Sequence, residues 1–164
     1  MLEGLSFQDP LVVNAIGHTA GLFLFGLMIV LLLQDWKRNG IRQARLSLLA
    51  AVLALLWNLG GLFVLAISNA KPALQDALMT FSFVVLSLLP AVLFQLVLKS
   101  RLKWATNLGY LLSFTAAVLH IVENFLLSSR IHQAALTTIY AGFSLLIVCA
   151  AIFGQTKEKP APSH

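Results

Sequence analysis

Leu11-Val-Val-Asn14-Ala-Ile-Gly17-His18-Thr-Ala-Gly21-Leu-Phe-Leu-Phe-Gly26-Leu-Met-Ile-Val-Leu-Leu-Leu33 runs for 23 residues without one Asp, Glu, Lys or Arg. A helix rises about 1.5 Å per residue and the hydrocarbon core of a bilayer is about 30 Å thick, so about 20 such residues cross it. A helix is also the form in which such a run meets its own backbone hydrogen bonds in lipid. Acidic Glu3 and Asp9 precede the run where a cleavable signal peptide would carry basic residues, and the run is too long for one. It is therefore expected to remain as a span.

Four further apolar runs follow: Leu46–Ser68, Ala77–Leu98, Trp104–Leu127 and Ala134–Phe153. Across the 164 residues, 59% are hydrophobic and 10% charged. A soluble domain carries roughly 25% charged residues, so the chain lacks the polar surface that water requires. The expected fold is all-α, an integral membrane bundle of five transmembrane helices. It occupies residues 1–154, and residues 155–164, ending Lys-Pro-Ala-Pro-Ser-His, form a disordered cytoplasmic tail. The connections are short, so successive helices should pack as antiparallel neighbours.

Charge sets the expected orientation. Lys37, Arg38, Arg42 and Arg45 follow the first run; Lys99, Arg101 and Lys103 follow the third; Lys157 and Lys159 lie in the tail. The alternate segments hold only Lys71 and Arg130, and the stretch before the first run holds no Lys or Arg. Nine basic residues against two predict an amino terminus outside and a carboxyl terminus in the cytoplasm. Trp36 and Trp104 fall at the expected cytoplasmic edges, where interfacial aromatics belong. The formal net charge of +5 is accounted for by this loop pattern, and no nucleic-acid partner is expected. The lone cysteine, Cys149, lies in an apolar run and reads as packing.

Helices in lipid associate through small residues and polar contacts. Gly17 and Gly21 on the first run, with Asn14 and His18 beside them, face the small-residue stripe Ala50, Ala54, Asn58 and Gly61 expected on the second. Gly21 and Gly61 are expected at helix–helix contacts. Pro90 is expected to bend the third run.

Glu123 is the one acidic residue inside an expected span, and His18 and His120 are the only histidines so placed. Ionisable groups in the bilayer core are costly unless paired or wet, which makes each a functional candidate. Counted from the outer helix ends, His18 lies about 11 Å deep, His120 about 10 Å and Glu123 about 6 Å. Gly61 and Tyr140 fall near the same level. His120, Glu123 and Asn124 have i, i+3, i+4 spacing and share a helix face. The candidate ligand-binding or proton-sensing set is therefore His18, His120, Glu123, Asn124, Asn14, Asn58 and Tyr140.

Four chemistries fit such a set. One is a structural hydrogen-bond network, in which replacing His120 by Leu would strand Glu123. Another is a proton-responsive imidazole. A third is a pocket for a cofactor, either haem b between His18 and His120 or a small hydrophobic molecule such as a quinone. The fourth is a metal site, for which His-x-x-Glu offers two ligands. Bis-histidine haem requires the two imidazole nitrogens about 4 Å apart across a porphyrin slot. No Gly-x-Ser-x-Gly or phosphate loop is present, and Asp35 and Asp76 lie outside the expected spans, so no catalytic constellation is expected.

The runs Asn14-Ala-Ile-Gly-His18-Thr-Ala-Gly21, Leu56-Trp57-Asn58-Leu-Gly60, Leu86-Ser87-Leu-Leu-Pro90-Ala-Val, and Gly109-Tyr-Leu-Leu-Ser113 through His120-Ile-Val-Glu123 carry a resemblance that covers about residues 10 to 150. Together they resemble the multi-spanning amino-terminal sensory region of bacterial sensor histidine kinases. The resemblance implies a bacterial inner-membrane protein of a two-component system, signalling to a kinase core on the cytoplasmic side. The chain departs from that family in lacking a phosphoacceptor helix pair and an ATP-binding domain, and His164 in the tail is no phosphoacceptor. The expected function is a membrane-embedded sensory or ligand-binding module without catalysis of its own. It would act through a membrane or cytoplasmic protein partner or as a homodimer. The alternatives are a small haem- or quinone-binding subunit of a redox complex and a purely structural membrane subunit.

Overall fold

The computed structural model describes residues 10–39, 41–67, 72–98, 102–126 and 129–155. It is all-helical, with no strand among the described residues. The five helices are α1 (Pro10–Asn39), α2 (Ile41–Ala66), α3 (Pro72–Leu98), α4 (Lys103–Leu126) and α5 (Ser129–Gln155). Each is long and apolar enough to cross a membrane.

Three helices start five residues earlier than their apolar runs, α2 among them at Ile41, not Leu46. The third begins at Pro72, not Ala77, because proline is favoured in a first turn, where its missing N–H loses no helical bond. The fifth begins at Ser129, not Ala134, and thereby takes His132 and Gln133 into a helix instead of a loop. Hydropathy marks where a chain is apolar, and a helix can continue through polar residues beyond that edge. Pro90 lies inside α3 without interrupting it. The expected ends at Ser68 and Leu127, and residues 156–164 of the expected tail, lie outside the described residues, while Gln155, expected to open that tail, is the last residue of α5.

Each helix packs on the next: α1 on α2, α2 on α3, α3 on α4 and α4 on α5, with a slight α3–α5 contact. Among the described residues, the first helix packs only on α2. Interfaces are made by small residues, with Ala51, Ala105, Ala116, Ala135 and Ser113 all fully buried. That is the pattern of helices held by close backbone approach and not by a hydrophobic drive.

Two of the expected contacts are present. A Cβ on Gly21 would collide with the Asn58 amide, and one on Gly61 would collide with the His18 ring. Gly17 is different: nothing lies within 4 Å of where its Cβ would be. The pair Gly17–Gly21 is thus not a packing motif, and Gly21 alone supplies the close approach.

The two ends of the bundle differ. At the end holding the α3–α4 connection, Ala91, Phe94, Leu102, Ala105, Phe143, Leu146 and Ala150 make a dry core. A second cluster, Ala50, Leu53, Val85 and Val92, seals α2 against α3. The opposite end, where α2 leads to α3 and α4 to α5, is left open by comparison and carries the polar residues.

Candidate functional site

All five helices contribute to one cavity of about 790 Å³ at that open end. Early α1 supplies Asn14 and His18, late α2 supplies Trp57 and Gly61, and early α3 supplies Asp76 and Phe83. Late α4 supplies His120 and Glu123, and early α5 supplies His132 and Gln133. Small-molecule sites typically measure about 300–1,000 Å³, with mostly apolar walls and a few convergent polar groups. This cavity is of that kind.

His18 is held by α2. Its Nδ1 lies 3.3 Å from Asn58 Oδ1. An amide oxygen only accepts, so Nδ1 carries the proton. The Asn58 amide is fixed in turn, because its Nδ2 donates to the Ala54 carbonyl at 2.7 Å. The Nε2 edge of the ring lies against Gly61, where a side chain would occupy the same space. Both nitrogens of His18 therefore face α2.

From His18 a row of rings crosses the cavity. His18 meets Trp57 edge-on at 5.8 Å, and Trp57 meets Phe83 at 5.8 Å. Phe83 then stacks on His120 at 5.0 Å with 22° between planes. The same Phe83 ring takes His132 edge-on at 5.0 Å. The row from His18 to His120 thus passes through Trp57 and Phe83. This arrangement does not fit a porphyrin held between His18 and His120, which needs both histidines turned toward one iron. His18 is turned instead onto Asn58 and Gly61.

At the far end of the row three ligating side chains meet. His132 Nδ1 and Glu123 Oε2 are hydrogen-bonded at 3.0 Å. His120 Nδ1 lies 3.5 Å from the same oxygen. His120 is 3% exposed, and its Nδ1 is buried without a hydrogen-bond partner.

Of the residues expected at the site, Asn14, His18, His120 and Glu123 line the cavity. Asn58 stands behind the wall, buried, as the acceptor for His18. Tyr140 is a correction. Although its depth is right, it is 71% exposed and points off the bundle. It sits five residues on from fully buried Ala135, about 140° round the helix at about 3.6 residues per turn. Asn124 lies within α4, and its side chain lies outside the described residues.

Trp57, Asp76, Phe83, His132 and Gln133 line the cavity but do not belong to the set expected from sequence. His132 precedes Ala134, where the fifth apolar run begins, so hydropathy leaves it outside the expected span. Asp76 was set aside for the same reason at the third run. Phe83 gave no signal, since one Phe in an apolar run is ordinary.

The partnership of Glu123 changes one expectation. Its hydrogen bond comes from His132, so His120→Leu does not strand it. The coupled pair is His132 and Glu123. His132→Leu alone is expected to destabilise by about 1–2 kcal/mol, a value kept small because both side chains are partly exposed. Adding Glu123→Leu should recover most of that loss. A double-mutant cycle on SDS-driven unfolding measures it, and simple additivity would break the pairing.

No family model matches the chain, and no curated protein or solved structure matches it either.

Proposed function

We propose that the chain is a multi-pass membrane protein whose outward-facing cavity receives a small amphipathic molecule, and that it acts as a sensory or ligand-binding module without chemistry of its own. The observation that carries this is the cavity itself. An aromatic wall of Trp57 and Phe83 separates two polar ends, His18 with Asn14 on one side and His120, Glu123 and His132 on the other. A flat apolar body would lie on the wall and a polar head would take the imidazoles of His120 and His132 or the Glu123 carboxylate.

The nine-to-two distribution of basic residues supports placing the cavity on the outer side, with the carboxyl end in the cytoplasm. Five helices and a cytoplasmic end agree with the resemblance to the membrane sensory regions of bacterial histidine kinases, with a kinase core or another protein as the partner to which the signal passes. Among the described residues α1 packs on α2 alone, so it is an element that a ligand touching His18 could move.

Trp57 provides the test. In a chain with Trp36 and Trp104 replaced by Phe, Trp57 is the single tryptophan and lines the cavity. Decylubiquinone, a short-chain amphipathic quinone, is expected to quench its fluorescence saturably in nanodiscs. A companion chain retaining only Trp104, which lies at the other end of the bundle, should show only linear collisional quenching. Equal, non-saturating quenching of both tryptophans would count against a ligand cavity.

A further inference from the structure

We infer that His120, Glu123 and His132 form a binding site for one divalent first-row transition-metal ion of the zinc class. The inference rests on the cavity as a ligand site and names one of its ligands.

Geometry comes first. With metal–ligand bonds of about 2.0–2.1 Å, two atoms on a tetrahedral ion stand about 3.3 Å apart. Glu123 Oε2 lies 3.0 Å from His132 Nδ1 and 3.5 Å from His120 Nδ1, one on each side of that value. All three ligating atoms lie within 4.8 Å of one another. Small side-chain adjustments would bring them round a common centre.

His120 is the second, independent observation. Its ring is buried, yet Nδ1 has no hydrogen-bond partner. Such a nitrogen normally finds one, because an unmet buried polar group costs about 1–3 kcal/mol. Here it is aimed at the carboxylate oxygen that the other histidine already engages. A metal ion between the three would satisfy all of them at once.

The surroundings fix the ligands. His120 and Glu123 are three apart on one helix and share a face, and His132 arrives from the first turn of the next helix. Phe83 stacks on one imidazole and abuts the other edge-on, which limits rotation of both. Two imidazoles and one carboxylate suit zinc, cobalt, iron or manganese. They do not suit calcium or magnesium, which take oxygen ligands, or cuprous ion, which prefers sulfur. Three protein ligands leave a coordination position toward the cavity, open to water or to a ligand head. On binding, the ion replaces the proton between His132 Nδ1 and Glu123, and that proton moves to His132 Nε2 or to water.

The probe is Co²⁺, titrated into the full chain purified with a non-histidine tag and stripped with EDTA. The wild type is expected to bind one Co²⁺ per chain, with the visible d–d absorption of a four-coordinate nitrogen–oxygen site, and Zn²⁺ should abolish that absorption by displacement. Loss of partners behind the ligands already weakens metal sites about 10–100-fold, so losing a ligand should exceed about tenfold. His132→Gln and Glu123→Gln are both expected to do so, while His18→Asn leaves the affinity unchanged. The wild-type titration is decisive even if a variant fails to fold: a folded, stripped wild type that takes up no Co²⁺ overturns the inference. Binding that survives unchanged in both folded variants overturns it as well. Saturable quenching of Trp57 by decylubiquinone in metal-free protein would then leave the ligand cavity standing without its metal.

Discussion

Gly21→Leu is expected to release α1 from the bundle, with a loss of about 2–4 kcal/mol. Overpacking a close contact costs about 1–3 kcal/mol, and the His18–Asn58 hydrogen bond, worth about 1 kcal/mol, goes with it. The added side chain meets the Asn58 amide, which is pinned by its bond to the Ala54 carbonyl and has little room to retreat. Among the described residues α1 packs on α2 alone, so no second helix is there to hold it. Lipid provides no hydrophobic drive to bring it back, since the tails are as apolar as leucine.

The same helix carries the controls. Gly17 and Gly26 have nothing within 4 Å of a built Cβ, so Gly17→Leu and Gly26→Leu should stay within about 0.5 kcal/mol of wild type. SDS-driven unfolding of the three variants separates the cases. Equal behaviour at residues 17, 21 and 26 would mean that α1 does not dock through Gly21. Loss of α1 also removes His18 from the cavity, so the Gly21 variant should lose saturable quenching of Trp57.

Reporter fusions test the orientation with an all-or-none response. Green fluorescent protein joined after His164 should fluoresce, and alkaline phosphatase at the same place should be silent. Inserted between α2 and α3, the phosphatase should instead be active. The cause is the electrostatic asymmetry of the connecting segments, nine basic residues on one side against two on the other. An active phosphatase after His164 would turn the bundle over. The cavity would then open to the cytoplasm, and an extracellular signal could not reach it directly.

Much of this was legible in the amino-acid order. Five apolar runs dictate five helices, because each backbone must satisfy itself where water is absent. Short connections make sequential neighbours, as found. Gly21 and Gly61 were readable as contacts because a missing side chain is the means of close approach in lipid. Depth was readable too: counting along each run put His18, His120 and Glu123 in one layer, and all three line the cavity.

Rotation about the helix axis was not legible. Tyr140 has the right depth and the wrong face, and Gly17 has the right spacing and no neighbour. A soluble helix declares its buried face by contrast between apolar and polar sides. α1 is apolar almost all round, so its sequence leaves the facing direction open, and only packing against α2 decides it. The meeting of His132 with Glu123 belongs to tertiary structure for a related reason. It depends on α5 extending through polar Ser129–Gln133, past the point where hydropathy ends, and on Phe83 arriving from α3 to set two imidazoles against one carboxylate.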